Sequence, residues 1–236
     1  MKTILLSGLL IFILHLSING SDKNKLSKNH GNKNASGNFT AIELKTFANV
    51  FITLGENTGT RIETDNNKPS NIQFEIKNNK IIIFSDDNID QQNPASVFIN
   101  LKTLTKVELS GSGNIKMNGH IKCNTIELCL SGSGNIYADV ETKKVNINLS
   151  GSGNINATGQ TEKLTITNTG SGNINCQELK SSTGSINISG SGTNIVDVED
   201  ELIVKITGSG NVYFVSVPDR IYAKSSGTGR IERIKA

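Results

Sequence analysis

Apolar and polar positions alternate along most of this chain, and one recurring phrase sets the phase of the alternation. The phrase is Ser/Thr-Gly-Ser/Thr-Gly, with first glycines at Gly111, Gly132, Gly151, Gly170, Gly190, Gly208 and Gly227. Four residues before it stand Val107, Leu128, Ile147, Ile166, Ile186, Val204 and Ala223. Two before it are Leu109, Leu130, Leu149, Asn168, Ile188, Ile206 and Ser225. Four after it come Ile115, Ile136, Ile155, Ile174, Val212 and Ile231. The fifth copy reads as carrying one extra residue, Thr193, so that Asn194 closes the turn and Ile195 takes the apolar place. The residues between are mostly polar, which is the period-two pattern of strands with one buried face. Each unit therefore predicts a strand, a glycine turn, a second strand and a variable connection.

The phrase returns about every 19 residues, a period that signals a solenoid of stacked coils. Stacking sets equivalent residues about 4.8 Å apart, so seven coils make a rod of roughly 34 Å. Parallel pairing between coils satisfies the backbone, and right-handedness is the default for parallel crossovers. The two glycines of each phrase mark a corner where φ is positive or backbones approach closely. On the positive-φ reading, Gly153→Val is expected to destabilise the rod severely. Asn114, Asn135, Asn154, Asn173 and Asn211 follow the corner and predict a ladder of stacked amides.

Four segments are expected. Residues 1–20 have a lysine near the start, Lys2, and an apolar run Ile4 to Leu16 broken only by Ser7, Gly8 and His15. That run is shorter than the roughly 20 residues needed to span a bilayer, so it reads as a secretory signal cut after Gly20, leaving no membrane span. No cysteine follows it to take a lipid anchor. Residues 21–37, with four lysines and little that is apolar, read as a flexible tether. Residues 38–104 hold short strand-like runs (AIEL, VFITL, RIET, IQFEI, KIIIF, SVFINL) without the phrase, read as irregular opening coils rather than a separate small β domain. Residues 105–236 are the repeat solenoid, which runs to Ile231 and leaves no room for an autotransporter pore or C-terminal anchor.

Composition narrows the chemistry. Tryptophan is absent and aromatics are 5%, which suits a thin aliphatic core. The net charge of +3 is spread out, with no basic and aromatic stripe, so nucleic acid is not an expected partner. The three cysteines, Cys123, Cys129 and Cys176, form neither a disulfide framework nor a zinc pattern. Cys176 falls in an apolar register, and Cys129 is expected to face outward as a free thiol. The acidic residues Asp139, Glu141, Glu162, Glu178, Asp197, Glu199, Asp200 and Glu201 share no register, and Asp197 to Glu201 reads as a solvated loop. His120 stands alone in a loop, too weakly placed near Cys123 to make a nucleophilic pair. The corner holds Ser or Asn where calcium-binding repeats hold Asp, so no metal and no cofactor is expected.

The repeated Gly-Ser-Gly-Asn-Ile at Gly111, Gly132, Gly151 and Gly170, behind a signal-like start, resembles the family called putative auto-transporter adhesin, head GIN domain. The likeness covers approximately residues 39–236. It implies a right-handed parallel β-helix, all-β, with no established biochemical activity. Later copies depart from the phrase (Gly190-Ser-Gly-Thr-Asn, Gly208-Ser-Gly-Asn-Val, Gly227-Thr-Gly-Arg), as expected at a tapering end. The expected role is a secreted, non-catalytic solenoid for adhesion or scaffolding at the cell envelope, not an enzyme. A glycan-binding module or carbohydrate-active enzyme on an outer face is the alternative, and self-assembly through the C-terminal coil edge is a third. The candidate ligand ridge is Ser112, Ser133, Ser152 and Ser171 beside Asn114, Asn135, Asn154 and Asn173, with glycans or envelope proteins as partners. Its competing explanation is that corners select small residues whose hydroxyls bond backbone along the stack.

Overall fold

The computed structural model describes residues 34–35, 39–56, 59–63, 72–85 and 95–235. The expected signal, nearly all of the tether and the Asn38 end of the opening segment lie outside the described residues. Alternation builds the regular part as anticipated. β8 (Lys106–Leu109) and β9 (Asn114–Met117) flank the first glycine corner. β10 (Ile121–Leu130), β11 (Asn135–Leu149), β12 (Asn154–Asn168), β13 (Ile174–Ile188) and β14 (Thr193–Ile206) follow, separated by glycine corners. β15 (Asn211–Phe214), β16 (Arg220–Ser225) and β17 (Ile231–Arg233) complete the last turns. Successive coils pair in parallel, isoleucine on isoleucine, as in Ile136↔Ile155↔Ile174. The three inward rows are buried up to the last coil, where Ala223 and Ser225 are exposed and Ile231 is half-buried, and each buried Ile or Leu contributes about 1.5–3 kcal/mol. The protein is a parallel β-solenoid of about seven turns, and no helix occurs among the described residues.

The opening strands join the same sheet in an order the chain does not follow. β1 (Asn34–Ala35), β2 (Ala41–Leu44), β3 (Asn49–Leu54), β4 (Gly59–Glu63), β5 (Ile72–Lys77), β6 (Lys80–Ser85) and β7 (Ser96–Leu101) precede the repeats. β2 and β3 lie between β6 and β7 on one side and β8 and β9 on the other, all in parallel. The second pass of the chain is thus laid outside the first. Beyond it, β5 pairs antiparallel with β6, β4 with β7 and β1 with β4. Antiparallel strands cover the edge that a bare parallel coil would offer to another chain.

A charge chain clamps this inverted order. Lys80 on β6 reaches Glu43 at 2.6 Å and, across β2, Glu108 on β8 at 2.7 Å. Ala41 stands in register between Lys80 and Lys106, and its small side chain leaves the path open. Lys45 meets Glu43 at 3.1 Å, and Lys106 meets Glu108 at 2.9 Å and Glu127 at 3.4 Å. Burial works against charge on Glu43 and Glu108, but the Lys80, Lys45 and Lys106 ammoniums outweigh it and hold both carboxyls below their ordinary range.

Two readings of the corner are corrected. Only Gly119 and Gly159 have positive φ among the described glycines, so left-handed backbone is not what the corners demand. Each corner glycine instead lies against the carbonyl of the preceding coil: a Cβ on Gly153 would run into Gly134 O. The fifth corner also carries no insertion. Thr193 takes the place of the corner asparagine, Asn194 pairs with Ile174 and is buried, and Ile195 faces outward. The buried amide is tolerated because Asn168, the other polar break in an apolar row, donates to its Oδ1 at 3.1 Å. Asn168 also donates to Gly172 O and accepts from Gly170 N, so the pair is satisfied within the corner.

Candidate functional site

The structure divides the eight ridge residues into two kinds. The asparagine side chains form a ladder: Asn114 donates to Asn49 at 2.9 Å, Asn135 to Asn114 at 2.9 Å, Asn154 to Asn135 at 3.0 Å and Asn173 to Asn154 at 3.2 Å. The ladder ends where Thr193 N donates to Asn173 Oδ1. Its first rung, Asn49, follows the corner Thr46-Phe47-Ala48, which the glycine phrase does not mark. These amides serve the stack.

The serines do not. Their main-chain N–H groups are committed to the preceding coil, as in Ser133 N to Gly111 O, Ser152 N to Gly132 O and Ser171 N to Gly151 O. The side chains of Ser112, Ser133, Ser152 and Ser171 are exposed, and their hydroxyls take no part in the hydrogen bonds of the described residues. A second exposed row, Ser110, Ser131, Ser150 and Thr169, runs beside them. It edges a shallow trough of about 240 Å³ that also includes Glu108, Cys129 and Asn148. The hydroxyls stand one coil apart, about 4.8 Å, on a backbone fixed by the ladder. Such a surface donates and accepts hydrogen bonds at regular intervals without rearrangement.

Other chemistry lies elsewhere. His120 is not isolated: its Nδ1 is 2.7 Å from Asp139 Oδ1 and its Nε2 is 3.3 Å from Glu141 Oε2, both on the next coil. Periodic spacing could have shown this, since His120 stands 19 residues before Asp139. Lys122 Nζ lies 2.8 Å from Glu141 and holds its carboxyl below the usual range, the opposite of what a general acid needs. The acids are also less scattered than their registers imply, since Glu141, Glu162 and Glu199 line one groove. Asp197 is not in a solvated loop: it is buried within β14 and accepts from Ser216 N at 3.2 Å.

The thiols are poor nucleophiles. Burial, then the neighbouring Glu127 carboxylate, pushes Cys129 up to about 11, and burial alone pushes Cys176 up to about 12. Cys129 faces outward but is half-buried, 3.3 Å from Glu127 Oε1. Among the described residues no group of three or more His, Cys, Asp or Glu side chains is placed to hold a metal ion. At the far end of the rod, β16 is exposed along its whole length, with Ile221 and Tyr222 on it and Val217 in the connection before it open to solvent.

Stacked parallel coils, glycine corners and an outward hydroxyl row define a β-solenoid with a repetitive surface. The chain belongs to the family described as putative auto-transporter adhesin, head GIN domain, which matches residues 38–218. Solved structures share the fold. A putative adhesin from Bacteroides fragilis has 20% identity and a TM-score of 0.80 over 88% of this chain and 98% of its own. A putative lipid binding protein from Parabacteroides distasonis has 19% identity and a TM-score of 0.70 over 89% and 98%. A putative adhesin from Parabacteroides merdae has 22% identity and a TM-score of 0.67 over 87% and 96%. A search of curated proteins finds no match.

Proposed function

We propose that this protein is an exported, non-catalytic solenoid that presents a repetitive polar surface for adhesion or scaffolding at the cell envelope. The family and the fold support an adhesion-type role. One observation carries the choice of surface: the corner asparagines are spent on the ladder, whereas the corner serines are exposed and their hydroxyls make no hydrogen bond among the described residues. A ligand bound there meets many equivalent weak contacts along a rigid rod, and avidity rather than a deep pocket gives its strength. Glycans and polar envelope proteins have the matching chemistry. The lowered carboxyl at Glu141 and the raised thiols at Cys129 and Cys176 support a non-catalytic reading.

The test is a glycan-array screen of the purified protein beside a variant with Ser112, Ser133, Ser152 and Ser171 all changed to alanine. Saturable binding lost in the variant supports the ridge as the contact surface. Binding that survives unchanged removes the ridge from the account. A second reading is end-to-end assembly through the last coil, supported by the exposed Ile221 and Tyr222 on β16. Light scattering at high concentration reads it directly, and a monomer throughout contradicts it.

A further inference from the structure

On the side of the coil away from the glycine corner lies a groove of about 960 Å³, larger than the trough beside the ridge. Its construction repeats coil by coil. The floor is a column of short side chains, Cys123, Thr142, Thr161 and Ser181, aligned by Cys123↔Thr142↔Thr161↔Ser181. One rim is Lys122, Glu141, Gln160 and Lys180, aligned in the same way. The other rim is Asn124, Lys143, Glu162 and Ser182, each one residue beyond the floor position. The long side chains of Lys122, Glu141, Gln160 and Lys180 on one rim, and of Lys143 and Glu162 on the other, stand above short ones on the floor and make the channel. Thr103 and Thr105 extend it at one end and Glu199 at the other, six coil levels in all. At about 4.8 Å per level that is roughly 24 Å, the length of an extended oligomer rather than a single small molecule.

The chemistry of the lining restricts what fits. Three lysines, Lys122, Lys143 and Lys180, are matched by three glutamates, Glu141, Glu162 and Glu199. A polyanion meets the three carboxylates and a polycation the three ammoniums, so the groove favours a neutral chain. No aromatic or aliphatic pocket is present in the lining to seat peptide side chains. The strands beneath are already paired on both sides, so a peptide finds no free edge to extend. The floor hydroxyls of Thr142, Thr161 and Ser181 are buried and bonded within the protein, and the exposed amides, carboxylates and ammoniums of the rims suit a ligand that is itself a row of hydroxyls.

We propose that this groove binds a linear, neutral polysaccharide lying along the stack, with successive sugar units served by successive coils. The site is distinct from the serine ridge and does not depend on it.

Isothermal titration of the purified protein with cellohexaose, xylohexaose and maltohexaose tests the proposal. Saturable binding to at least one is expected, at least about tenfold tighter than to the matching trisaccharide, because the groove offers six levels. This length dependence is read on the unmodified protein, so it stands whether or not a variant folds. Lys143→Ala, Gln160→Ala and Glu162→Ala together, at three exposed positions, are expected to weaken binding about tenfold or more. The four-serine ridge variant is expected to leave it unchanged. The proposal is overturned if none of the three hexasaccharides binds, if hexa- and trisaccharide bind equally, if the folded groove variant binds as well as wild type, or if heparin binds as tightly at the same salt.

Discussion

Three glycine-to-alanine substitutions separate the two reasons a glycine can be required. At Gly153 φ is ordinary, but a new Cβ would lie 2.9 Å from the Ser133 carbonyl carbon and 3.0 Å from that of Gly134, with Gly134 O closer still. Ordinary contact begins at 3.4 Å, and the obstacle is backbone that cannot rotate away. Relief requires the coils to part where Gly153 N bonds Gly132 O at 3.2 Å and Asn154 N bonds Gly134 O at 3.2 Å. Overpacking of this kind costs about 1–3 kcal/mol. Weakening one or two hydrogen bonds adds about 1 kcal/mol each, for a total of roughly 2–5 kcal/mol. At about 2–4 °C per kcal/mol, the Tm of Gly153→Ala should fall by roughly 4–20 °C. Gly119 has φ +85 and open space around it, so its alanine variant carries only backbone strain, about 1–2 kcal/mol. Gly55 has neither constraint, and alanine there should be neutral or stabilising by up to about 1 kcal/mol through the unfolded chain. Thermal unfolding followed by circular dichroism ranks the three. A Gly153→Ala protein as stable as Gly55→Ala refutes the close-approach explanation of the corners.

Other expectations follow from single contacts. Asn168→Leu and Asn194→Ile should each cost about 1–3 kcal/mol by stranding the partner amide, while the double change costs less than their sum. Additive denaturation free energies would contradict a coupled pair. Glu43 and Glu108 have lowered carboxyls, so their stabilisation is present above the ordinary glutamate range and lost as pH falls through the lowered values. Lys80→Met should therefore raise the pH at which acid unfolding begins, and an unshifted acid transition by circular dichroism argues against the clamp. Cys129 and Cys176, raised to about 11 and about 12, should resist alkylation at mildly alkaline pH until the protein is unfolded. Rapid labelling of native Cys129, read by mass spectrometry, would contradict its half-buried placement.

The regular coils were legible because one phrase fixed the phase of every strand around it. Rows such as Ile115, Ile136, Ile155 and Ile174 follow from counting, and the structure buries them as counted. The opening strands were recognisable as strands, but their order was not, since local alternation says which face is buried and not which neighbour a strand takes. The Asn168–Asn194 pair was hidden because Asn168 looks like a lone flaw in an apolar row, while Asn194 was counted as the corner residue of a lengthened copy. The ladder was anticipated from stacked asparagines, yet its first rung at Asn49 lay outside the phrase, and Asn211, expected in it, accepts from Arg230 N instead. The groove left only a faint signal: Thr142, Thr161 and Ser181 recur in the inward phase where apolar residues stand elsewhere. For the corner glycines the sequence left positive φ and close approach as alternatives, and only the stacked coil shows that admitting a neighbouring carbonyl is the reason.

The central claim is that the free corner hydroxyls make the adhesive contact, and an adhesion assay tests it most directly. Beads coated with the protein at graded density are washed over mucin-coated glass under flow, beside beads carrying the Ser112, Ser133, Ser152 and Ser171 to alanine variant. The account predicts retention that rises steeply with density and is lost in the variant, while the variant keeps the wild-type Tm. Equal retention of both proteins, or none at any density, would contradict it.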